Sequence, residues 1–165
     1  MKFSRSISYL VTMLEAPHVL VGIAIASKVG HPLLSIPLAF GSHFVLDMLP
    51  HWNPHLNTEM KTYGHVTKKT KLIIYGDLAL SFGMTAFFCL TALPNLFHAV
   101  TIGLSAISAI TPDLIEAPYF FLNKKTAFLE AWIKFQKSIQ TDAEPILGIA
   151  TQIIVMAASL MWIMS

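Results

Sequence analysis

Three histidines and an aspartate lie close together in an otherwise apolar part of the chain, between residues 42 and 55. His43 and Asp47 are four residues apart, which places both side chains on one face of a helix, one turn from each other. Imidazole nitrogens and carboxylate oxygens are the ligands that zinc and manganese take in proteins. The spacing therefore predicts a divalent metal site. The alternative is a set of helix-capping side chains beside a His-rich surface loop.

Pro50 sets the end of the helix that carries this pair. Proline lacks a backbone N–H group and its ring obstructs the preceding turn, so we expect the helix to end near Met48 or Leu49. His51 and His55 then lie on the loop that follows, close enough to be further metal ligands.

The composition places these residues in a membrane protein. Of the 165 residues, 55% are hydrophobic and 12% are charged, whereas soluble proteins average about 25% charged residues. The net charge of +2 is too small to suggest nucleic acid as a partner. We predict an all-α membrane bundle with about five membrane segments and one amphipathic helix lying on the bilayer surface. The predicted segments are residues 17–28, 33–49, 72–93, 96–111 and 146–164, and the interfacial helix is residues 126–140.

The first segment is short. Residues 17–28 cover only about 20 Å at 1.5 Å per residue, less than the roughly 30 Å of a hydrocarbon core. Together with residues 33–49 they form a hairpin that either spans the membrane or dips into it and returns. Gly22 and Ala26 give the first segment a face of small residues suited to close helix packing.

The basic residues predict the orientation. With the N-terminus in the cytoplasm, ten of the eleven lysines and arginines fall on the cytoplasmic side and only Lys28 falls outside, as the positive-inside rule requires. The C-terminus is then extracytoplasmic, in a cytoplasmic (inner) membrane. This orientation brings eight polar side chains to the cytoplasmic ends of their segments: Glu15, His18, His43, Asp47, His51, His55, Asp113 and Glu116.

Asp77 lies inside an apolar segment, at about the same depth as His43, roughly 10 Å from the cytoplasmic side. An ionised aspartate in hydrocarbon costs at least about 2.5 kcal/mol, so we expect Asp77 to face the interior of the bundle and pair with a metal or a protonated histidine. A simple hydrogen bond between helices is the alternative. His31 and His98 fall at the opposite side, where we expect ordinary solvated side chains, and we expect His65 to be a loop residue.

Part of this pattern resembles a known family. The matching residues are His18-x-x-x-Gly22 and Ser42-His43-Phe44-x-x-Asp47-x-x-Pro50-His51. They are similar to motifs of the bacterial inner-membrane metal-dependent hydrolases, some of whose members are LexA-regulated. The common form of that family also carries an early Pro-Asp-x-Asp-His, a His-Arg and a later His-Ser pair, which this chain lacks. Residues 112–116 are similar to the first of these but lie late in the chain and end in Glu116.

The resemblance implies a hydrolase in which one or two divalent ions activate water and polarise an ester. We expect the ligands to be His18, His43, Asp47, Asp77 and Asp113, with His51 and His55 as further candidates. Glu15 or Glu116, at the rim, would be the general base. A site at this depth favours a lipid or another phosphoester amphiphile as the substrate. A metal or proton transporter and a metal-stabilised scaffold without catalysis are the alternatives.

Overall fold

The computed structural model describes residues 13–52, 54 and 56–165, and these form seven α-helices. Their bounds are α1 Glu15–Val29, α2 Pro32–Asp47, α3 Leu56–Tyr63, α4 Lys68–Thr91, α5 Leu96–Phe121, α6 Ala127–Ile139 and α7 Pro145–Met164. Apart from one isolated bridge between His51 and Asp142, the described residues contain no β-structure. The all-α prediction is therefore confirmed.

Three of the helices within the described ranges are long and apolar enough to cross a membrane, namely α4, α5 and α7. The predicted count of five was too high. α1 has 15 residues and α2 has 16, so each rises only about 22 to 24 Å, short of a hydrocarbon core of roughly 30 Å. These two helices form the expected hairpin. Gly30 closes it with φ of 68°, a left-handed conformation that glycine adopts without strain.

α1 is the central helix of the bundle, and α2, α4, α5 and α7 all pack against it. Ten of its residues are buried, among them Val19, Leu20 and Ile23. Gly22 allows α5 to come close, because a Cβ atom added there would lie 2.8 Å from the Ser105 carbonyl oxygen. The predicted face of small residues is thus confirmed.

The outer helices have the opposite pattern and expose apolar side chains. Leu72 and Phe82 of α4 and Ile146 of α7 are each more than 70% exposed. A soluble protein rarely leaves an apolar surface of this extent uncovered. An apolar exterior around a centre that contains histidine and aspartate is what a lipid environment favours.

α5 continues beyond its predicted end at Thr111, through Pro112 and Pro118, to Phe121. The predicted end fell just before Pro112, a residue type that removes one helical hydrogen bond and costs about 3 kcal/mol in a helix interior. That boundary was wrong. In a tightly packed bundle, neighbouring groups satisfy the freed backbone and proline is tolerated. The extension carries Asp113 and Glu116 on a helix and not on a loop.

The predicted polar loop from residue 50 to 71 contains a helix, α3. Glu59 of α3 accepts hydrogen bonds from the Thr67 backbone N–H (2.7 Å) and from the Thr70 hydroxyl (2.6 Å). α3 is therefore attached to the N-terminus of α4. We did not predict it, because its eight residues have no buried apolar stripe.

The helices bring most of the candidate residues to one end of the bundle. The N-terminus of α1, the C-terminus of α2 and the C-terminal part of α5 meet there, and we call it the site end. At the opposite, far end, His31 makes an edge contact with Phe97, with ring centroids 6.1 Å apart. A short backbone strap covers the site end, where the Thr141 N–H donates to the Asp47 carbonyl (3.0 Å) and the Ala143 N–H to that of His51 (3.0 Å).

Candidate metal centre

His18, His43 and Asp47 form a compact buried group at the site end. All three are completely inaccessible to solvent, and one ligand atom from each lies within 4.8 Å of the others. His18 Nε2 is 3.5 Å from Asp47 Oδ1, and His43 Nε2 is 3.5 Å from Asp47 Oδ2. The hairpin positions them, since α1 contributes His18 and the last two turns of α2 contribute the other two.

These distances suit a shared cation better than direct hydrogen bonds. Hydrogen bonds from nitrogen to oxygen cluster near 2.9 Å, whereas two ligand atoms on one tetrahedral zinc, each about 2.1 Å from it, lie roughly 3.4 Å apart. His18 Nε2, His43 Nε2 and Asp47 Oδ1 all lack a hydrogen-bond partner within the described parts of the chain. Unsatisfied buried polar atoms are costly, and a divalent cation would satisfy all three.

The ring of His43 is held in the form that a metal ligand needs. Its Nδ1 lies 2.8 Å from the Ala109 carbonyl oxygen of α5. A carbonyl can only accept, so Nδ1 carries the proton, and in the neutral ring Nε2 then presents a lone pair toward Asp47. The ring of His18 stacks on that of His43, with centroids 4.1 Å apart. Stacking fixes the orientation of His18, whose two ring nitrogens have no hydrogen-bond partner among the described residues.

A residue outside the group of three, Gln140, orients the carboxylate of Asp47. Gln140, just after α6, donates its side-chain amide to Asp47 Oδ2 at 3.3 Å. The neighbouring Thr141 N–H binds the Asp47 backbone carbonyl. Oδ1 is left without a hydrogen bond, facing His18.

Asp113 stands directly beside this group. Its Oδ1 is 3.5 Å from His43 Nε2 and accepts a hydrogen bond from the Gln136 amide at 3.0 Å. Its Oδ2 is buried and has no hydrogen-bond partner among the residues that the structure describes. The structure thus brings Asp113 within reach of the histidines, as we expected for a ligand, although the compact group of three does not include it.

Asp77 has a different set of contacts from the one we expected. Its two carboxylate oxygens accept the backbone N–H groups of Glu15 (2.6 Å) and Ala16 (3.1 Å). These are unpaired donors at the start of α1, so Asp77 caps that helix from α4. These contacts are hydrogen bonds between two helices, which was the alternative given for Asp77. Metal binding by Asp77 stays a prediction.

The two glutamates proposed as bases both line a cavity of about 100 Å³ at the site end. Asp77 and Asp113 line it as well, and apolar side chains make up the rest of the wall. Glu116 is buried and accepts a hydrogen bond from the Gln136 amide at 2.8 Å. Glu15 Oε2 has no hydrogen-bond partner within residues 13–52, 54 and 56–165. The roles of both glutamates stay predictions.

His51 is completely buried near Asp47. Its Nδ1 lies 2.8 Å from the Leu49 carbonyl oxygen, and its Nε2 has no hydrogen-bond partner in the part of the chain that the structure describes. His51 is outside the group of three, and its role as a ligand stays a prediction. His55 lies outside the described residues.

Gln136 and Gln140 are the residues at this centre that the sequence did not reveal. They are four apart and therefore face the same side, and their amides reach three carboxylates, those of Asp47, Asp113 and Glu116. The signal was present but weak: both are uncharged polar residues at the end of an amphipathic helix whose other polar residues are mostly charged. Metal sites depend on such supporting hydrogen bonds.

α6 packs over this end of the bundle through both its aromatic and its polar residues. Trp132 donates its indole N–H to the Pro112 carbonyl oxygen at 3.0 Å, and Phe135 contacts Phe44 of α2 with ring centroids 5.7 Å apart. Phe128, in contrast, is 64% exposed. The helix is thus present as predicted and is attached to the centre.

Comparisons of the chain with protein-family models, with curated proteins and with solved structures found no match.

Proposed function

We propose that this protein is a membrane-embedded, metal-dependent hydrolase that acts on an ester or phosphoester bond of an amphiphilic substrate. The observation that carries the proposal is the buried group of His18, His43 and Asp47, whose facing ligand atoms lack hydrogen-bond partners. Residues that were present only to stabilise the fold would pair these atoms.

His18, His43 and Asp47 would hold the cation, for which zinc and manganese suit the donor set. Bound there, it would polarise the scissile ester and make water a stronger nucleophile at neutral pH. The protein's own part is to orient and to move protons. Glu116 is positioned by Gln136 at the wall of the cavity and is our candidate for the base that accepts a proton from water.

The cavity supports an amphiphilic substrate. Its wall combines four carboxylates with apolar side chains, including Leu14, Ile74, Leu78, Leu114, Phe120 and Phe121. An apolar wall with a few convergent polar groups is typical of a small-molecule site. An acyl or alkyl chain would contact the apolar wall while the ester or phosphoester faces the acidic side.

We propose that the site end faces the cytoplasm, because that orientation places ten of the eleven lysines and arginines on the cytoplasmic side. A reporter enzyme fused after Ser165 should then behave as extracytoplasmic. Cytoplasmic behaviour of that fusion would reverse the orientation.

The test uses the full chain purified in detergent. We expect stoichiometric zinc or manganese, and metal-dependent hydrolysis of at least one substrate in a panel of carboxylic and phosphate esters of lipids. Asp47→Asn keeps the shape of the side chain but weakens the ligand, and should lose both metal and activity. His65→Ala is the matched control, because His65 is an exposed histidine outside the buried group.

Two other outcomes would replace the proposal. If the ester panel shows no turnover while proteoliposomes move metal ions or protons, the protein is a transporter. If metal binds and raises the melting temperature but neither activity is found, the metal is structural. A protein that binds no metal, with a melting temperature unchanged by chelator, would leave a purely polar core and remove the hydrolase proposal.

A further inference from the structure

The carboxylates at the site end outnumber what one divalent cation can balance. Five lie close enough to influence one another: Glu15, Asp47, Asp77, Asp113 and Glu116. Among the residues that line the cavity within the described chain, none is lysine or arginine. One divalent ion at His18, His43 and Asp47 compensates two negative charges, so the other carboxyl groups depend on hydrogen bonds, protons or a further cation.

Four of the five carboxylates already have a partner on at least one oxygen. Asp47 belongs to the histidine group. Asp77 receives the N–H groups at the start of α1, where the helix dipole also favours a negative charge. Glu116 and Asp113 Oδ1 both receive the Gln136 amide. Outside the histidine group, the carboxylate oxygens buried without a hydrogen-bond partner among the described residues are Glu15 Oε2 and Asp113 Oδ2.

Glu15 and Asp113 both line the cavity and each has an unsatisfied oxygen. Glu15 Oε2 and Asp113 Oδ2 are both buried and have no hydrogen-bond partner among the described residues. The side chain of Asp113 is only 8% exposed. Two carboxylates in this position repel unless they share a proton or bind a cation.

We propose that Glu15 and Asp113 form a second divalent-cation subsite, in the cavity beside the histidine group. Asp113 bridges the two subsites, because Oδ1 faces His43 Nε2 at 3.5 Å while Oδ2 is the unpartnered oxygen on the cavity wall. Carboxylate oxygens are the donors that manganese and magnesium prefer, so this subsite favours a harder ion than the histidine group does.

The catalytic role of this second subsite rests on the proposed function. Two cations joined by a carboxylate form the arrangement that hydrolases use to stabilise both the attacking and the leaving oxygen of a phosphoester. A phosphoester amphiphile is therefore the substrate class that the pair of subsites fits. Glu116 remains available as the base, because its partner is an amide.

The experiment measures manganese in the full chain, purified in detergent and loaded with Mn²⁺ alone. The wild type should hold two ions per chain, with the electron paramagnetic resonance signature of a coupled pair. Glu15→Gln should hold one ion and show an uncoupled spectrum. Glu130→Gln, a change at an exposed acid of α6, is the matched control and should keep both ions.

A wild type that holds one ion, with Glu15→Gln unchanged in metal content, would overturn the second subsite and indicate a shared proton. That result leaves the histidine group and the hydrolase proposal intact. Conversely, two coupled ions in a protein that hydrolyses no ester support the subsite and count against the hydrolase. If Glu15→Gln fails to fold, Asp113→Asn provides the same measurement, with loss of coupling expected.

Discussion

The two ends of the bundle both carry histidines, but these have very different surroundings. At the site end, His18 and His43 are fully buried and present nitrogens that lack partners among the described residues. At the far end, His31 is exposed, and its backbone carbonyl receives the first N–H groups of α2. Histidine alone is therefore not informative about metal binding here. What distinguishes the site end is burial without hydrogen-bond partners among the described residues, which a cation would relieve.

Replacing a histidine with alanine at each end in turn should give the largest difference, measured as metal affinity. His18→Ala removes a ligand of the proposed cation, and we expect metal affinity to fall by more than about 100-fold, because loss of a supporting residue alone costs 10- to 100-fold. His31→Ala should leave metal affinity unchanged. Isothermal titration of the apo-protein with zinc measures both. Equal losses in the two variants would show that the effect is one of general stability.

A glycine of α7 and a glycine of α5 provide the second contrast, in the free energy of unfolding. A Cβ atom at Gly148 of α7 would overlap the backbone of Trp52 and lie 2.6 Å from the carbonyl carbon of His51, whereas one at Gly103 of α5 would make an ordinary contact of 3.5 Å with Cys89 Sγ. We expect Gly148→Ala to lower the free energy of unfolding by about 1 to 3 kcal/mol.

Gly103→Ala should be neutral or should stabilise α5 by about 0.5 to 1 kcal/mol, since alanine is the better helix former. Thermal unfolding in one detergent compares the two variants. If Gly148→Ala were as stable as the wild type, the loop after α2 would not be held against α7.

Helix caps at the two ends give the smallest contrast. Asp77 caps α1 at the site end, and Asn95 caps α5 at the far end by accepting the His98 N–H at 3.1 Å. Replacing either with alanine should cost about 1 kcal/mol of stability. Thermal unfolding and metal analysis of both variants separate a cap from a ligand. Loss of metal in Asp77→Ala alone would show that Asp77 is a ligand as well.

Sequence reasoning was most reliable where a residue pattern depends on a single helix. The spacing of His43 and Asp47 defines a shared face whatever the helix packs against. Gly22 marks a close helix contact, because a small residue within an apolar segment has few other uses. The arrival of His18 and Asp113 at the same end followed from counting segments between the two sides of a membrane, and the structure brings both to His43.

The parts that sequence reasoning missed depend on contacts between distant segments. The role of Gln136 needs α6 to fold back over α5, which no local pattern specifies. The path of α5 through Pro112 depends on packing that compensates for a poor helix former. We expected Asp77 to pair with a cation because no local pattern shows that the N-terminus of α1, whose N–H groups bind it, lies beside α4.

The side-chain amides of Gln136 and Gln140 affect how this protein should be extracted from a membrane. Gln136 and Gln140 connect α6, which exposes the aromatic side chain of Phe128, to carboxylates at the site end. A detergent that separates this helix from its neighbours would preserve the helical circular dichroism of the spans while disordering the carboxylates. Helicity and monodispersity are therefore poor criteria for choosing a detergent here. Lipid nanodiscs, which retain a bilayer surface, are the better preparation for assays.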